Sequence, residues 1–193
     1  MKGEVLTFLY NLKNKLKRED MLIVFSPKNN FRYNLMPSYK ADRKEKRKPL
    51  GMVALKEWMM SKFDCVIAKN MEADDHIGIL CTFNKEHIAV SGDKDFNTLP
   101  ITWYNYLKDT LVTITPEEAK YNHYLQTLAG DPTDGYTGAK GIGMKTAKKL
   151  LDKHGVKWDT IIKAYEKADM TEEEALLNAR LAYILHHKDY DKE

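Results

Sequence analysis

Cysteine is nearly absent: Cys65 and Cys81 are the two in 193 residues, both in apolar surroundings and without a CxxC spacing. That excludes a disulfide-stapled miniprotein and a zinc finger, and it points to a reduced interior and a cytosolic compartment. Long hydrophobic runs are missing too. None approaches the ~20 residues of a membrane span, and the opening MKGEVLTFLYNLKNKLKRED interrupts its apolar positions with Lys, Asn and Glu, so neither signal peptide nor membrane partner is expected. An excess of one charge is also lacking, because 31 Lys+Arg offset 28 Asp+Glu to leave +3. What remains, with 43% hydrophobic residues, is a soluble globular composition. A chain of this length buries roughly 70% of its unfolded surface. The charges therefore inform by position rather than by total.

Strand and helix patterns alternate through the first half. Val5, Phe8, Leu9, Leu12 and Leu16 recur at helical spacing, and short apolar strands are expected at Met21–Phe25, Cys65–Ala68, His87–Ser91 and Ile101–Tyr106. Helices are expected from Pro49 to Lys62 and from Glu72 to Phe83. This alternation predicts an α/β layer with a mostly parallel sheet, whose loops after the strands carry the chemistry. The second half reads as helical. Thr115-Pro116-Glu117-Glu118 and Thr171 with Glu174 are capping boxes, and the basic helix MKTAKKLLDKH is closed by Gly155. The last helix is expected to run to about His186.

Three acidic clusters fall at element boundaries: Glu72, Asp74 and Asp75 in MEADDH, Asp93 and Asp95 in SGDKDF, and Asp131 and Asp134 in GDPTDG. Asp93 and Asp95, two apart beyond a strand, project to one side in extended backbone, and Glu72 and Asp75 can share a helix face. Carboxylates crowded together repel unless a cation joins them, and oxygen ligands suit a hard divalent ion such as Mg²⁺. Two such ions ~3.5–4 Å apart can drive phosphodiester hydrolysis. Any one cluster alone is ordinary cap and turn chemistry.

Basic segments lie beside them. YKADRKEKRK holds six basic and two acidic residues, flanked by Phe31, Tyr33 and Tyr39, which could stack on bases or simply pack. GAKGIGMKTAKKLL has the form of a helix-hairpin-helix turn. There Gly141 and Gly143 let a phosphate approach the backbone, the next helix offers free N–H groups, and Lys145, Lys148 and Lys149 add charge.

The ordered segments FRYNLMPSYKADRK, MEADD, SGDKDF and GDPTDGYTGAKGIGMKTA resemble the 5′-nuclease superfamily of flap endonucleases and 5′→3′ exonucleases, especially the bacteriophage branch. The resemblance implies a Rossmann-like, PIN-like nuclease core over residues 1–114 with a basic helical arch at about 32–62. It also implies a helical DNA-binding subdomain over 115–193 with a helix-three-turn-helix near 130–152. The implied metal ligands are Glu72, Asp74, Asp75, Asp93, Asp95, Asp131 and Asp134, for Mg²⁺ or Mn²⁺, with K⁺ at the hairpin. Lys40 and Arg43 match arch-base cations that engage the scissile phosphate. Arg32, Lys44, Lys46, Arg47, Gly141, Gly143, Lys145, Thr146 and Lys148 are the implied DNA contacts.

Two departures accompany the match. The family opens with a sheet strand whose Asp binds metal, whereas Met1 here begins in the helix that follows it. A second family Asp aligns with Pro27 in FSPKNNFR, which has no ligating side chain. The implied function is a metal-dependent 5′→3′ exonuclease or flap endonuclease acting on DNA, with RNA in hybrids as a further substrate. The alternative is a catalytically weak DNA-binding relative, or one completed by an N-terminal fragment in trans.

Overall fold

The structure, a computed structural model, describes residues 1–44 and 49–190. Helix α1 (Lys2–Leu16) buries Leu9 and Leu12 and ends at Lys17, whose left-handed backbone closes the last turn. It leads into β1 (Ile23–Phe25), which pairs in parallel with β2 (Cys65–Ile67). Between them lie the short helices α2 (Arg32–Leu35) and α3 (Ala41–Lys44) and the longer α4 (Met52–Lys62). Pro49 does not start α4. Gly51, at φ 84°, is its N-cap, and the helix begins one residue later.

After β2, α5 (Ala73–Phe83) crosses to β3 (Ile88–Ser91), and Lys94–Thr98 forms a 3₁₀ turn. β3 pairs in parallel with β4 (Thr102–Asn105), which turns back into antiparallel β5 (Thr110–Thr113). β5 departs from the sequence expectation. Its residues are exposed and carry no apolar run; the hairpin exists because Asn105 accepts the amides of Leu107 and Lys108 and Asp109 adopts φ 53°. The strands thus form two groups, β1–β2 and β3–β4–β5, and α5 packs against both β1 and β3. Phe96, Leu99, Ile101 and Trp103 form the core beneath β3 and β4. Each such side chain contributes about 1.5–3 kcal/mol by burial.

Helices α6 (Pro116–Ala129), α7 (Met144–His154), α8 (Trp158–Glu166) and α9 (Glu172–Ala182) enclose a second core around Leu128, Leu151, Ile161 and Tyr165. The capping boxes at Thr115/Glu118 and Thr171/Glu174 are both formed. α9 stops at Ala182 rather than His186, because the next residues turn their backbone toward a buried ion pair described below. Among the described residues, no helix is long and apolar enough to cross a membrane.

Candidate active site

The loop after α6 brings the C-terminal half to the sheet. Gly130 (φ 70°) and Gly138 (φ 66°) cross so closely that a Cβ on either would lie 2.3 Å from the other strand of the loop. The crossing is held by bonds from Ala139 N–H to the Leu128 carbonyl (2.9 Å) and from Asp131 N–H to that of Tyr136 (2.9 Å). Asp131 and Asp134 are thereby presented to the ends of β3 and α5.

There a small cleft of ≈20 Å³ is lined by Glu72, Asp74, Asp93, Asp95 and Asp134 together with Tyr39 and Lys40. Glu72 is the N-cap of α5, while Asp93 caps the 3₁₀ turn by accepting the Asp95 amide at 3.0 Å. Lys40, in the left-handed region at φ 52°, places its ammonium 2.7 Å from Glu72 Oε1 and 3.3 Å from Asp134 Oδ2. The Tyr39 hydroxyl donates to the same two carboxylates, at 2.9 and 3.1 Å. Asp131 stands beside Lys94 at 3.3 Å. Gln126, which the sequence did not single out, donates to Asp95 at 2.5 Å from α6.

The carboxylates resist ionisation together. Burial, then the charges of Asp93 and Glu72, pushes Asp74 up to about 7, and burial with Asp93 pushes Asp95 up to about 6. Asp131 moves the other way: burial opposes its charge, but the Thr133 amide and Lys94 outweigh it and hold the carboxyl below its ordinary range. An all-oxygen donor set short of positive charge fits a hard divalent cation. Among the described residues no three His, Cys, Asp or Glu side chains already form a coordination shell. Lys40 and Tyr39 stand between Glu72 and Asp134, and the cleft has room for about one water-sized species.

Two expected site residues have another task. Arg32, expected at the DNA, is a buried side chain with 3% exposure, and Asp75, expected at the metal, is fully buried. Arg32 Nη1 and Nη2 donate to the two Asp75 oxygens at 2.6 and 2.8 Å, and Nε and Nη2 reach the carbonyls of Leu181 and Tyr183. Asp75 also accepts the amides of Glu72 and Leu185, at 3.0 and 3.1 Å. Burial works against the Arg32 charge, but Asp75 outweighs it and raises its pKa. The pair ties α2, α5 and the residues after α9 into one frame, and it fixes the N-cap that carries Glu72. Tyr39 is likewise buried, so its ring is no free base-stacking platform.

The remaining expected residues lie apart from the cleft or beyond description. Pro27 follows β1, and its neighbour Ser26 accepts the Ala73 amide at 2.9 Å at the start of α5. Arg43 and Lys44 belong to α3 by backbone, with their side chains outside the description; Lys46 and Arg47 lie outside the described residues. Gly141 (φ 77°) and Gly143, the N-cap of α7, both face open space. Lys145, Thr146 and Lys148 are exposed beside them.

Comparison with known proteins decides the lineage. Residues 3–124 match the sequence model of the family described as 5′-3′ exonuclease, N-terminal resolvase-like domain. The chain belongs to this family. The exodeoxyribonuclease of Enterobacteria phage T3 and the exonuclease of Escherichia phage T7 are each 29% identical over 210 residues, spanning 89% of this chain and 70% of theirs. The bacteriophage T5 D15 flap endonuclease, solved with DNA and metal ions, superposes with a TM-score of 0.73 at 19% identity, over 94% of this chain and 80% of that one. This likeness confirms the α/β fold with its mostly parallel strands. Family membership gives the reaction class: this 5′-nuclease is a 5′-3′ exonuclease or flap endonuclease acting on DNA.

Proposed function

We propose that the cleft binds a divalent cation, Mg²⁺ or Mn²⁺, through Glu72, Asp74, Asp93, Asp95, Asp131 and Asp134, and that it hydrolyses DNA phosphodiesters near 5′ ends. The single observation that carries this reading is the convergence of six carboxylates from three distant segments beside Lys40 and Lys94. Two bound ions would supply charge for the developing oxyanion and an activated water. Gln126 and Tyr39 orient Asp95 and Glu72 through the hydrogen bonds already made. Lys40, released from Glu72, and Arg43 offset charge at the scissile phosphate.

Residues 1–114 form the nuclease core in this reading, and 115–193 the helical DNA grip. The open amides at Gly141, Gly143 and the start of α7, with Lys145, Thr146 and Lys148, hold duplex backbone as a helix-three-turn-helix, with K⁺ at the turn. Lys44, Lys46 and Arg47 draw the strand toward the acids, and RNA in hybrids is a further substrate. The test is cleavage of a 5′-flap duplex in Mg²⁺: loss of cleavage in Asp93→Ala/Asp95→Ala supports the site, and equal cleavage overturns it.

Pro27, which has no ligating side chain, favours a second reading, a catalytically weak or inactive DNA-binding relative. Calorimetry separates the two. Heat from millimolar Mg²⁺ or Mn²⁺ supports the nuclease, and its absence with DNA affinity intact supports the binding module.

A further inference from the structure

Four tyrosines are buried among the described residues: Tyr39, Tyr104, Tyr136 and Tyr165. A buried phenol usually finds a hydrogen-bond partner, because its hydroxyl gives up water on folding. Three of the four obey. Tyr39 donates to Glu72 and Asp134, Tyr104 to Asp109 at 2.5 Å, and Tyr165 to the Thr127 carbonyl at 2.7 Å. Tyr136 is the exception: it is 3% exposed, and its hydroxyl has no hydrogen-bond partner among the described residues.

Backbone bonds fix its place. The Asp131 N–H donates to the Tyr136 carbonyl at 2.9 Å, the Tyr136 N–H returns to that of Asp131 at 3.2 Å, and Gly135 at φ 85° makes the turn between them. The ring packs with Tyr39, Leu181 and Ala182, and the residue lines the acidic cleft with Asp95 and Asp134. A phenol is protonated at neutral pH and can donate, and burial with the charges of Asp95, Asp131 and Asp134 keeps it so. The acceptor that it lacks must then arrive with a ligand. A cation-bound water is chiefly a donor, because the ion engages its oxygen. A phosphate oxygen, by contrast, carries charge and only accepts. A neutral donor also suits this position, since a lysine would pair with the acids, as Lys40 and Lys94 do.

We propose that the Tyr136 hydroxyl donates a hydrogen bond to a non-bridging phosphate oxygen of the DNA held at the acidic cleft. This rests on the cation reading above and adds to it a substrate contact. Tyr136→Phe removes the oxygen alone. Because that oxygen has no partner in the free chain, Tm without metal or DNA should stay within about 2 °C of the parent, and a larger fall overturns the proposal. The probe is thymidine 5′-monophosphate, titrated by calorimetry into the 193-residue chain in saturating Mg²⁺. Tyr136→Phe should bind it about ten- to hundredfold more weakly, the loss expected for a hydrogen bond to a charged oxygen. Single-turnover cleavage of a 5′-flap duplex should fall by a similar factor, with affinity for Mg²⁺ alone unchanged. Tyr165→Phe is the control: it loses the bond to Thr127, so its Tm falls while its affinity for the nucleotide stays. Equal nucleotide affinity in the parent and Tyr136→Phe, or an equal loss in both variants, overturns the proposal. Weaker binding of Mg²⁺ itself by Tyr136→Phe also overturns it, and gives the hydroxyl to the water shell of the cation. If the parent gives no heat with Mg²⁺, the cation reading falls and the proposal with it, whereas the other outcomes leave that reading standing.

Discussion

At the scale of single residues, the decisive distinction is between charges that are spent and charges that are available. Arg32 and Asp75 are spent on each other and on backbone groups, with Glu72 Oε2 a further 3.6 Å from Arg32 Nη1. Breaking a buried pair of this kind costs about 3–5 kcal/mol. Arg32→Ala should therefore lower Tm by about 6–20 °C in a thermal melt, whereas a mere DNA contact would leave Tm unchanged. Asp74 and Asp95 are the opposite case. Their folded pKa values, about 7 and about 6, lie above the unfolded value near 3.9, so the folded chain binds more protons between those limits. Stability must then fall as pH rises through that window. The metal-free chain should melt lower at pH 8 than at pH 5 by roughly 4 °C or more, and Mg²⁺ should recover more of it at pH 8 than at pH 5, as read by calorimetry.

At the scale of elements, local chemistry was legible where it was self-contained. Thr115 and Thr171 announce their helices because each box is closed within four residues. Glu72 and Asp75 were read as sharing a helix face, yet Asp75 turns back to the Glu72 amide and meets Arg32, 43 residues away, a partnership no spacing encodes. β5 escaped because an exposed edge strand needs no apolar pattern, and the end of α9 because Tyr183 and Leu185 serve the Arg32–Asp75 pair. Gln126 looked like any polar residue in a helix until α6 was docked on the 3₁₀ turn. The α7 start carries its own prediction. Replacing Lys145 and Lys148 by Ala should weaken duplex binding uniformly across sequences and reduce the slope of log K against log salt by about 1 for each lysine, in a fluorescence anisotropy titration.

At the scale of the whole molecule, the nearly cancelling charge resolves into opposed regions that folding sets side by side. Carboxylates from the N-cap of α5, the end of β3 and the loop after α6 meet around two lysines, while a basic helix start faces outward. The order of the acidic clusters was readable from sequence; their convergence depended on the Gly130–Gly138 crossing, where Gly130→Ala or Gly138→Ala would drive a Cβ into backbone. The most direct test of the central claim is release of product from a 5′-labelled flap duplex, measured across a Mg²⁺ titration. The account predicts cleavage that rises with Mg²⁺ and is abolished by chelation. Cleavage undiminished by chelator, or none at any Mg²⁺ concentration, would contradict it.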